Sequence, residues 1–310
     1  MVSTVFLTGA TGFVGGHVLR ALREARYDVR ALVRSGDATL DAEVVAGDLN
    51  ETGALARALD GCRYVVHCAA LYSFAPSARA QMHRVNVLGT AGLLEAARIA
   101  GVERAVVTSS SATLHPHALD GSAYHRSKVE QERAALAARV PTVLVLPTAP
   151  IGAGDAKPTP TGKLVLDFVR GRIKVLPPRG GMNVVAVEDV ARAHVTALER
   201  GEPRERYVVA GENLTFDELW AMLAEITGRP MPRTRIPYGV ALAAGWVDEM
   251  LCRIQPARQP VVPLEGVRMS RERMFVDDDR VRREFGIEPT PAREALERAV
   301  AWYRAHDRVS

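Results

Sequence analysis

The chain has 310 residues, of which 47% are apolar and 25% charged, the composition of an ordinary folded globular protein. Its formal net charge of +4 comes from arginines scattered along the sequence, so binding to nucleic acid is not expected. The most apolar later stretch, Val240–Val247, ends at Asp248 and is far too short to cross a bilayer, so no membrane span is expected.

The first predicted element is a short strand, Val5–Leu7, followed by a glycine-rich turn and a helical pattern. Gly9 permits a sharp turn, Gly12 lets backbone approach a ligand, and Gly15 lets the helix pack closely on the strand. The free N–H groups at the start of that helix attract phosphate. This order predicts a dinucleotide phosphate loop made by Gly9, Thr11, Gly12, Phe13, Val14 and Gly15.

Strand and helix patterns then alternate through the first half. The predicted strands are Val29–Val33, Val44–Val45, Tyr64–Cys68, Ala105–Thr108 and Val143–Leu146. The predicted helices are Gly12–Arg26, Thr52–Leu59, Gln81–Ala100 and Tyr124–Arg139. This rhythm predicts an α/β fold with a parallel sheet and helices on both faces. Ligand-binding residues should then follow the carboxyl ends of the strands.

The residues after the second and third strands bear on the choice of cofactor. Arg34 stands where a carboxylate would accept hydrogen bonds from the ribose of NAD, and its guanidinium suits a 2′-phosphate. This favours NADP(H), with NAD still possible; alternatively, Arg34 stacks on adenine or faces solvent. After the third strand, Asp48 and Leu49 are candidate adenine contacts, and Asp48 could instead cap the following helix.

The fourth and fifth strands end in further candidate site residues. Ala69 and Ala70 are small enough for backbone to pass close to a cofactor, whereas His67 is interpreted as structural. Three serines, Ser109 to Ser111, follow the fifth strand.

Tyr124 and Lys128 lie four residues apart on the next predicted helix and therefore share one face. An ammonium beside the phenol would lower its pKa toward the working range, and the same ammonium can bind the nicotinamide ribose. A serine hydroxyl at the neighbouring strand end can bond the same substrate oxygen. Together these groups predict proton transfer to or from a carbonyl/alcohol pair beside a nicotinamide.

The sequence resembles the extended short-chain dehydrogenases/reductases, the NAD-dependent epimerase/dehydratase group. The motifs that carry the resemblance are Thr8–Gly15, Gly47–Leu49, His67–Ala70, Asn86 with Gly89 and Thr90, Thr108–Ser110, Tyr124 with Lys128, Val187–Val190 and Trp302–Tyr303. The resemblance implies a doubly wound Rossmann domain and a smaller C-terminal α/β substrate domain. It also implies that Tyr124 is the acid/base and Lys128 its partner, with a serine orienting the carbonyl and Asn86 mainly structural. Counted from Val102, the family's catalytic serine falls on Ser110, with Ser111 as the alternative and Ser109 third.

Two details indicate which members of this family the sequence is similar to. Pro147 and Thr148 follow the sixth strand, as in dihydroflavonol-reductase-like members, and are assigned to the cofactor site. The stretch Asp155–Lys163 is similar to hopanoid-associated sugar epimerases. Relatives place a longer loop before the tyrosine helix than Ser111–Ala123, so we expect one wall of the substrate pocket to be reshaped.

Three histidines in and after this loop, His115, His117 and His125, are candidate pocket residues. His115 and His117 could bind a metal, but no third ligand is evident, so we expect no metal site. No secretory signal is recognisable, which predicts a cytoplasmic protein.

The second half contains a helix starting near Gly162, strands at Val184–Val187 and Tyr207–Val209, and a capping box at Thr215–Glu218. Pro237–Ile254 is predicted to be an apolar helix that closes over substrate. We expect residues 1–150 to form the cofactor domain. Residues 151–310 should form most of the substrate domain, with some segments returning to the first sheet.

The sequence therefore predicts an NADP(H)-dependent enzyme that reduces a ketone or aldehyde, or oxidises the secondary alcohol. One alternative is a nucleotide-sugar epimerase or dehydratase with retained NAD. Another is a non-catalytic dinucleotide sensor. The expected partner is a small carbonyl or alcohol substrate, and a homodimer through Gln81–Ala100 and Tyr124–Arg139 is possible.

Overall fold

A seven-stranded sheet forms the centre of the first half of the protein. The computed structural model describes residues 3–34, 39–115, 121–255 and 257–306. The strands of this sheet are β1 (Thr4–Thr8), β2 (Asp28–Val33), β3 (Glu43–Ala46), β4 (Tyr64–His67), β5 (Arg104–Thr108), β6 (Thr142–Pro147) and β9 (Arg206–Val209). Their spatial order is β3-β2-β1-β4-β5-β6-β9, and every neighbouring pair is parallel. This confirms the Rossmann-type α/β fold.

Helices cover both faces of this sheet. They are α1 (Phe13–Glu24), α2 (Thr52–Ala58), α3 (Arg79–Met82), α4 (Gly89–Ile99), α5 (Ala123–Ala137) and α7 (Val187–Arg200). One apolar core includes Val18 of α1 and Val190 of α7. A second core includes Leu55 of α2 and Leu93 of α4. Because both sides of the central strands are buried, the interiors of β1, β4, β5 and β6 are continuous apolar runs, whereas the edge strand β3 is only partly buried.

The long helix predicted for Gln81–Ala100 is divided into three parts in the structure. Between α3 and α4, His83–Leu88 forms a π-helical segment. Asn86 lies in this segment and is completely buried. Such π segments are frequent at functional sites, and this one turns the Asn86 amide toward α5, where it bonds Ser127.

A smaller sheet occupies the second half. Its strands are β7 (Ala149–Ile151), β8 (Gly181–Ala186), β10 (Glu212–Thr215) and β11 (Arg273–Met274), with β8 pairing with the other three. The helices of this half are α6 (Pro160–Val169), α8 (Phe216–Thr227), α9 (Tyr238–Ile254), α10 (Leu264–Met269) and α11 (Ala292–Ala305). A third apolar core joins α6, α8 and α11 to β8. The predicted capping box begins α8, since Thr215 and Glu218 bond each other's backbone N–H.

β9 lies in the second half of the sequence but pairs with β6 in the first sheet. The division of the chain at residue 150 stays a prediction. Among the helices of the described ranges, none is long and apolar enough to cross a membrane.

Candidate active site

The turn between β1 and α1 has no room for side chains. Gly9 has a φ of +80°, and a Cβ there would lie 2.7 Å from the backbone nitrogen of Ala69. A Cβ on Gly15 would lie 2.1 Å from the carbonyl oxygen of Gly9. β1, the start of α1 and the chain after β4 therefore meet backbone to backbone, as the sequence predicts.

The first turn of α1 suits an anion. Gly12 is the N-cap residue and offers no side-chain cap, and there is no acidic residue in the first turn. Thr11 and Gly12 are exposed, while Phe13 and Val14 are half-buried. The N–H groups at this helix end thus face an open site with a positive dipole end. The cradle fits the pyrophosphate of a dinucleotide.

We expect Gly15→Ala to destabilise the fold and abolish cofactor binding, because the new methyl would overlap the Gly9 carbonyl. The free energy of unfolding should fall by about 1–3 kcal/mol, the typical range for overpacked sites. Gly53→Ala is the matched control, because a Cβ there meets nothing within 4 Å and Gly53 lies in α2. Urea unfolding and cofactor titration of both variants check this. Equal stability of the two variants would contradict the close packing.

Arg34 lies directly after β2 and is exposed. It makes no hydrogen bond or ion pair with any other described residue, so its guanidinium is available to a ligand. Asp48 accepts a hydrogen bond from the backbone nitrogen of Asn50 at 2.8 Å, and Glu51 is the N-cap residue of α2. The alternative that Asp48 caps this helix is therefore wrong. Asp48 is exposed and Leu49 half-buried at the end of β3.

The end of β4 lies beside the cradle, and the end of β6 lies three strands from β1 at the same edge of the sheet. Ala69 donates its backbone N–H to the Thr8 hydroxyl at 3.2 Å, and Ala70 is exposed. Pro147 is the last residue of β6. Thr148 donates its N–H to the Val209 carbonyl at 3.2 Å. This places the predicted cofactor residues at carboxyl ends of parallel strands, where such folds bind ligands.

In the structure, Ser110 lies next to Tyr124. The Ser110 hydroxyl shares a hydrogen bond with the Tyr124 phenol and accepts one from the Ala112 N–H at 3.2 Å. Ser109 instead donates to the carboxylate of Glu132, and Ser111 is buried at the start of a 3₁₀ turn. Of the three serines, Ser110 has the geometry to share a substrate oxygen with Tyr124.

Tyr124 is packed under a second tyrosine. The ring of Tyr72 stacks on it with 4.0 Å between centroids and 22° between planes. Burial raises the pKa of Tyr124 to about 12, while the hydrogen bond with Ser110 acts to lower it. The expectation of a lowered pKa is thus wrong for the protein alone, because desolvation outweighs the other influences. The phenol is protonated at neutral pH.

Lys128 is 2% exposed and lies behind the end of β5. Its ammonium donates to the Thr108 carbonyl at 3.0 Å and to the Gln131 amide oxygen at 2.8 Å. Burial lowers the pKa of Lys128 to about 8, and nearby Glu132 acts in the opposite direction. The ammonium is therefore still mostly charged at pH 7.

A chain of buried hydrogen bonds fixes the position of the Lys128 side chain. The Gln131 amide donates to the Thr90 hydroxyl at 3.0 Å, and Thr90 donates to the Asn86 carbonyl at 2.7 Å. The two ring nitrogens of His67 lie 2.8 Å from the Thr90 hydroxyl and 2.7 Å from that of Thr8. Burial lowers the pKa of His67 to about 3, so the ring is neutral.

This network assigns the tautomer of His67. Thr90 already donates its only hydroxyl proton, so the ring must donate to it through Nε2 and accept from Thr8 through Nδ1. His67 is thus structural, as expected from the sequence. Gln131 was missed because a glutamine on a helix carries no motif of its own.

The side-chain amide of Asn86 makes three hydrogen bonds with neighbouring segments. Its Nδ2 donates to the Leu71 carbonyl at 2.9 Å and to the Ser127 hydroxyl at 3.1 Å, and its Oδ1 accepts from the Leu71 N–H at 2.7 Å. These bonds hold the chain after β4 against α5.

A cavity adjoins the start of the Tyr124 helix. Its walls come from the chain after β4, from α5 and from α9 and α10, and include Phe74, Arg79, Ser122, Glu249, Val262 and Glu265. The Ser122 hydroxyl donates to the Glu265 carboxylate. The pKa of Glu265 is raised by burial, although its hydrogen bond with Ser122 and the neighbouring arginines act in the opposite direction. The sequence indicated α9 as a cover but missed Glu265 and Tyr72, because their contacts cross between distant segments.

The shortened loop is described only in part. Residues 116–120, and with them His117, lie outside the described residues. Burial lowers the pKa of His115. The reshaped pocket wall stays a prediction.

Comparison with known proteins gives consistent results. The model of the NAD dependent epimerase/dehydratase family matches residues 5–210. A protein of Synechocystis sp. named putative dihydroflavonol 4-reductase is 37% identical, covering 100% of this chain and 97% of that protein. Sterol demethylase protein B of Methylococcus capsulatus is 34% identical, covering 97% and 98%. The chain is also similar to a solved structure described as the crystal structure of gox2253. The sequence identity is 36% and the TM-score 0.83, and the match covers 99% of this chain and 100% of the gox2253 chain.

Proposed function

The chain belongs to the NAD dependent epimerase/dehydratase family, whose members bind NAD(P), and on this premise we propose that it is an NADP(H)-dependent carbonyl reductase. Its substrate would be a ketone or aldehyde, or the secondary alcohol in the reverse direction. The observation that carries the proposal is the hydrogen bond between Ser110 and Tyr124, together with the buried ammonium of Lys128 on the same helix, which bonds the Thr108 carbonyl at the end of β5. The similarity to a protein named a reductase supports it.

When bound, the nicotinamide supplies or accepts the hydride. Ser110 donates a hydrogen bond to the substrate oxygen and so polarises the carbonyl. Tyr124 gives that oxygen its proton as negative charge develops there. Lys128 supplies a fixed positive charge at the end of β5, where it can also bind ribose hydroxyls.

The protonated state of Tyr124 fits the donor role that carbonyl reduction requires. With a pKa of about 12, the phenol holds its proton at neutral pH and can donate it. Alcohol oxidation needs the phenolate, which a positively charged oxidised nicotinamide would favour.

The second candidate is a nucleotide-sugar epimerase or dehydratase with retained NAD, and the third is a non-catalytic dinucleotide sensor. The test is incubation of the purified protein with NADPH and a panel of ketones and aldehydes while absorbance at the reduced nicotinamide band is followed. Net oxidation of NADPH with release of the product cofactor supports the reductase. Sugar conversion by tightly held NAD without net redox change, or binding without any turnover, would contradict it.

We expect Arg34→Ala to raise the KM for NADPH at least about tenfold, because a guanidinium bonds a 2′-phosphate by charge-assisted contacts. The KM for NADH should change less than about twofold. Arg57→Ala, which removes an exposed arginine of α2, is the control and should leave both values unchanged. Kinetics with both cofactors measure this, and an equal loss for NADPH and NADH would assign Arg34 to adenine stacking.

The remaining assignments are proposals of the same kind. The exposed apolar side chains Leu88, at the end of the π segment, and Ile99, at the end of α4, are compatible with a homodimer through this region. The cytoplasmic location likewise stays a prediction.

A further inference from the structure

α9 exposes a continuous apolar face. The residues on this face are 38–72% exposed; they are Val240, Trp246, Val247, Met250, Leu251 and Ile254. Their spacing of three, four and seven residues places them along one side of the helix. Isolated exposed apolar residues are common, but a contiguous patch of this kind marks an interaction surface.

The opposite side of α9 is already packed. Ala241, Gly245, Asp248 and Cys252 are buried along it. A Cβ on Gly245 would lie 3.2 Å from the Cα of Leu264, so α9 and α10 are in close contact there. The exposed face is therefore the side of α9 that points away from the protein.

The two acidic side chains of α9 are turned inward, with Asp248 7% and Glu249 14% exposed. Arg253, which pairs with Glu249, is 51% exposed and is the one strongly exposed charge within the described helix Tyr238–Ile254. Arg271, next to α9, is 61% exposed and pairs with Glu272, which is itself 39% exposed. On α9 itself the apolar face therefore has a positive margin.

Aromatic side chains join the apolar face to this margin. The guanidinium of Arg268 lies 5.8 Å from the Trp246 ring centroid, and that of Arg271 lies 4.9 Å from the Tyr238 ring centroid. Adjacent tryptophan, tyrosine and arginine side chains suit the headgroup level of a bilayer. Arginines near an anionic leaflet are attracted to its lipids.

We propose that the exposed face of α9 docks the protein on the surface of an anionic lipid bilayer. The apolar side chains would enter the headgroup and acyl boundary while α9 lies in the plane of the membrane. A second copy of the chain is a poorer occupant, because a twofold contact would bring the arginine margins of both copies together. The proposal does not rest on the proposed reaction.

Docking in this way would bring the cavity at the start of the Tyr124 helix close to the membrane. Glu249 of α9 and Val262, Leu264 and Glu265 beside α9 line the cavity that adjoins the start of the Tyr124 helix. One helix therefore borders both the proposed docking face and the cavity. This arrangement suits a substrate that is taken from the bilayer.

The test is sedimentation of the full chain with vesicles of phosphatidylcholine alone or of phosphatidylcholine with about 30% phosphatidylglycerol, which gives the vesicles a negative surface. We expect binding to the anionic vesicles, reduced by salt because the arginine contribution is screened. Val247→Glu should lower the bound-to-free ratio at least about tenfold, since it places a charge at the boundary. Val175→Glu, the same change at an exposed valine outside α9, is the control and should bind as the unchanged protein does.

Two outcomes would overturn the proposal. The first is no binding to anionic vesicles, or equal binding by the Val247→Glu and unchanged proteins. The second is a concentration-dependent dimer in analytical ultracentrifugation that Val247→Glu abolishes while vesicle binding is absent. That result would assign the face to a contact between copies. Circular dichroism and thermal unfolding of both variants ensure that the folded protein is compared.

Discussion

Tyr124→Phe should lower turnover at least about a hundredfold and leave cofactor affinity within about twofold, since general acid catalysis contributes about 10²–10⁴. The substitution removes the hydroxyl that bonds Ser110 but keeps the ring that stacks on Tyr72 at 4.0 Å. The hole it leaves is one oxygen atom, so the packing around α5 should survive. The loss is then a loss of proton transfer and not of fold.

The measurement is single-turnover oxidation of NADPH with a carbonyl that the unchanged enzyme reduces, together with cofactor titration. Tyr27→Phe is the control, because Tyr27 lies between α1 and β2 and its hydroxyl contacts only the exposed Glu199 at 3.4 Å among the bonds described. Turnover by Tyr124→Phe at the rate of the unchanged enzyme would remove Tyr124 from the reaction. It would also require another proton donor near Ser110.

Local patterns predicted the fold and the family because their causes are local. The glycine turn works through backbone overlap, and the 2.1 Å clash that a Cβ on Gly15 would meet is encoded by that glycine alone. The strands were recognisable because both faces of the sheet are buried. In the first sheet the predicted strand ends were accurate to about one residue, whereas the strand predicted at Val184–Val187 begins at Gly181 in the structure.

What could not be predicted depends on contacts across the chain. Tyr72 reaches Tyr124 over 52 sequence positions, and nothing near Tyr72 in the sequence indicates a stacking partner. The π segment His83–Leu88 was read as ordinary helix because one extra residue in a turn barely disturbs an apolar pattern. The pKa of Tyr124 was misjudged because a motif shows which charges are near but not how much water is removed.

The choice between NADP(H) and NAD could likewise not be settled from the sequence alone. Arg34 was identified from its place after a strand, and the structure keeps it exposed there. Its distance from a 2′-phosphate depends on residues 35–38, which lie outside the described ranges. The preference for NADP(H) therefore stays a prediction, and the Arg34→Ala kinetics address it directly.

Lys128→Met should reduce turnover by at least about a hundredfold and also change how stability depends on pH, since Lys128 is a charge buried at a catalytic site. Burial lowers the pKa of Lys128 from 10.5 to about 8. Between these values the unfolded chain holds a proton that the folded chain has lost. Stability of the unchanged protein must therefore rise as pH increases from 8 to 10.5.

The rise amounts to about 3 kcal/mol relative to Lys128→Met, because each pKa unit corresponds to about 1.4 kcal/mol. Below pH 8 the difference between the two proteins should be constant, since lysine is charged in both the folded and the unfolded state. Urea unfolding at intervals from pH 7 to pH 10.5 measures it. Lys174→Met, at an exposed lysine, is the control and should follow the pH dependence of the unchanged protein.

A flat difference across this range would mean that the ammonium is as well solvated as in the unfolded chain, and the buried charge at the end of β5 would have to be abandoned. A rise together with lost turnover would show that the protein maintains a destabilising charge for its function. Gln131 and the Thr108 carbonyl then serve to keep that charge in place, because they are the hydrogen-bond acceptors of the ammonium. The hydrogen-bond chain to Thr90 and His67 gives this costly group a single position at the end of β5.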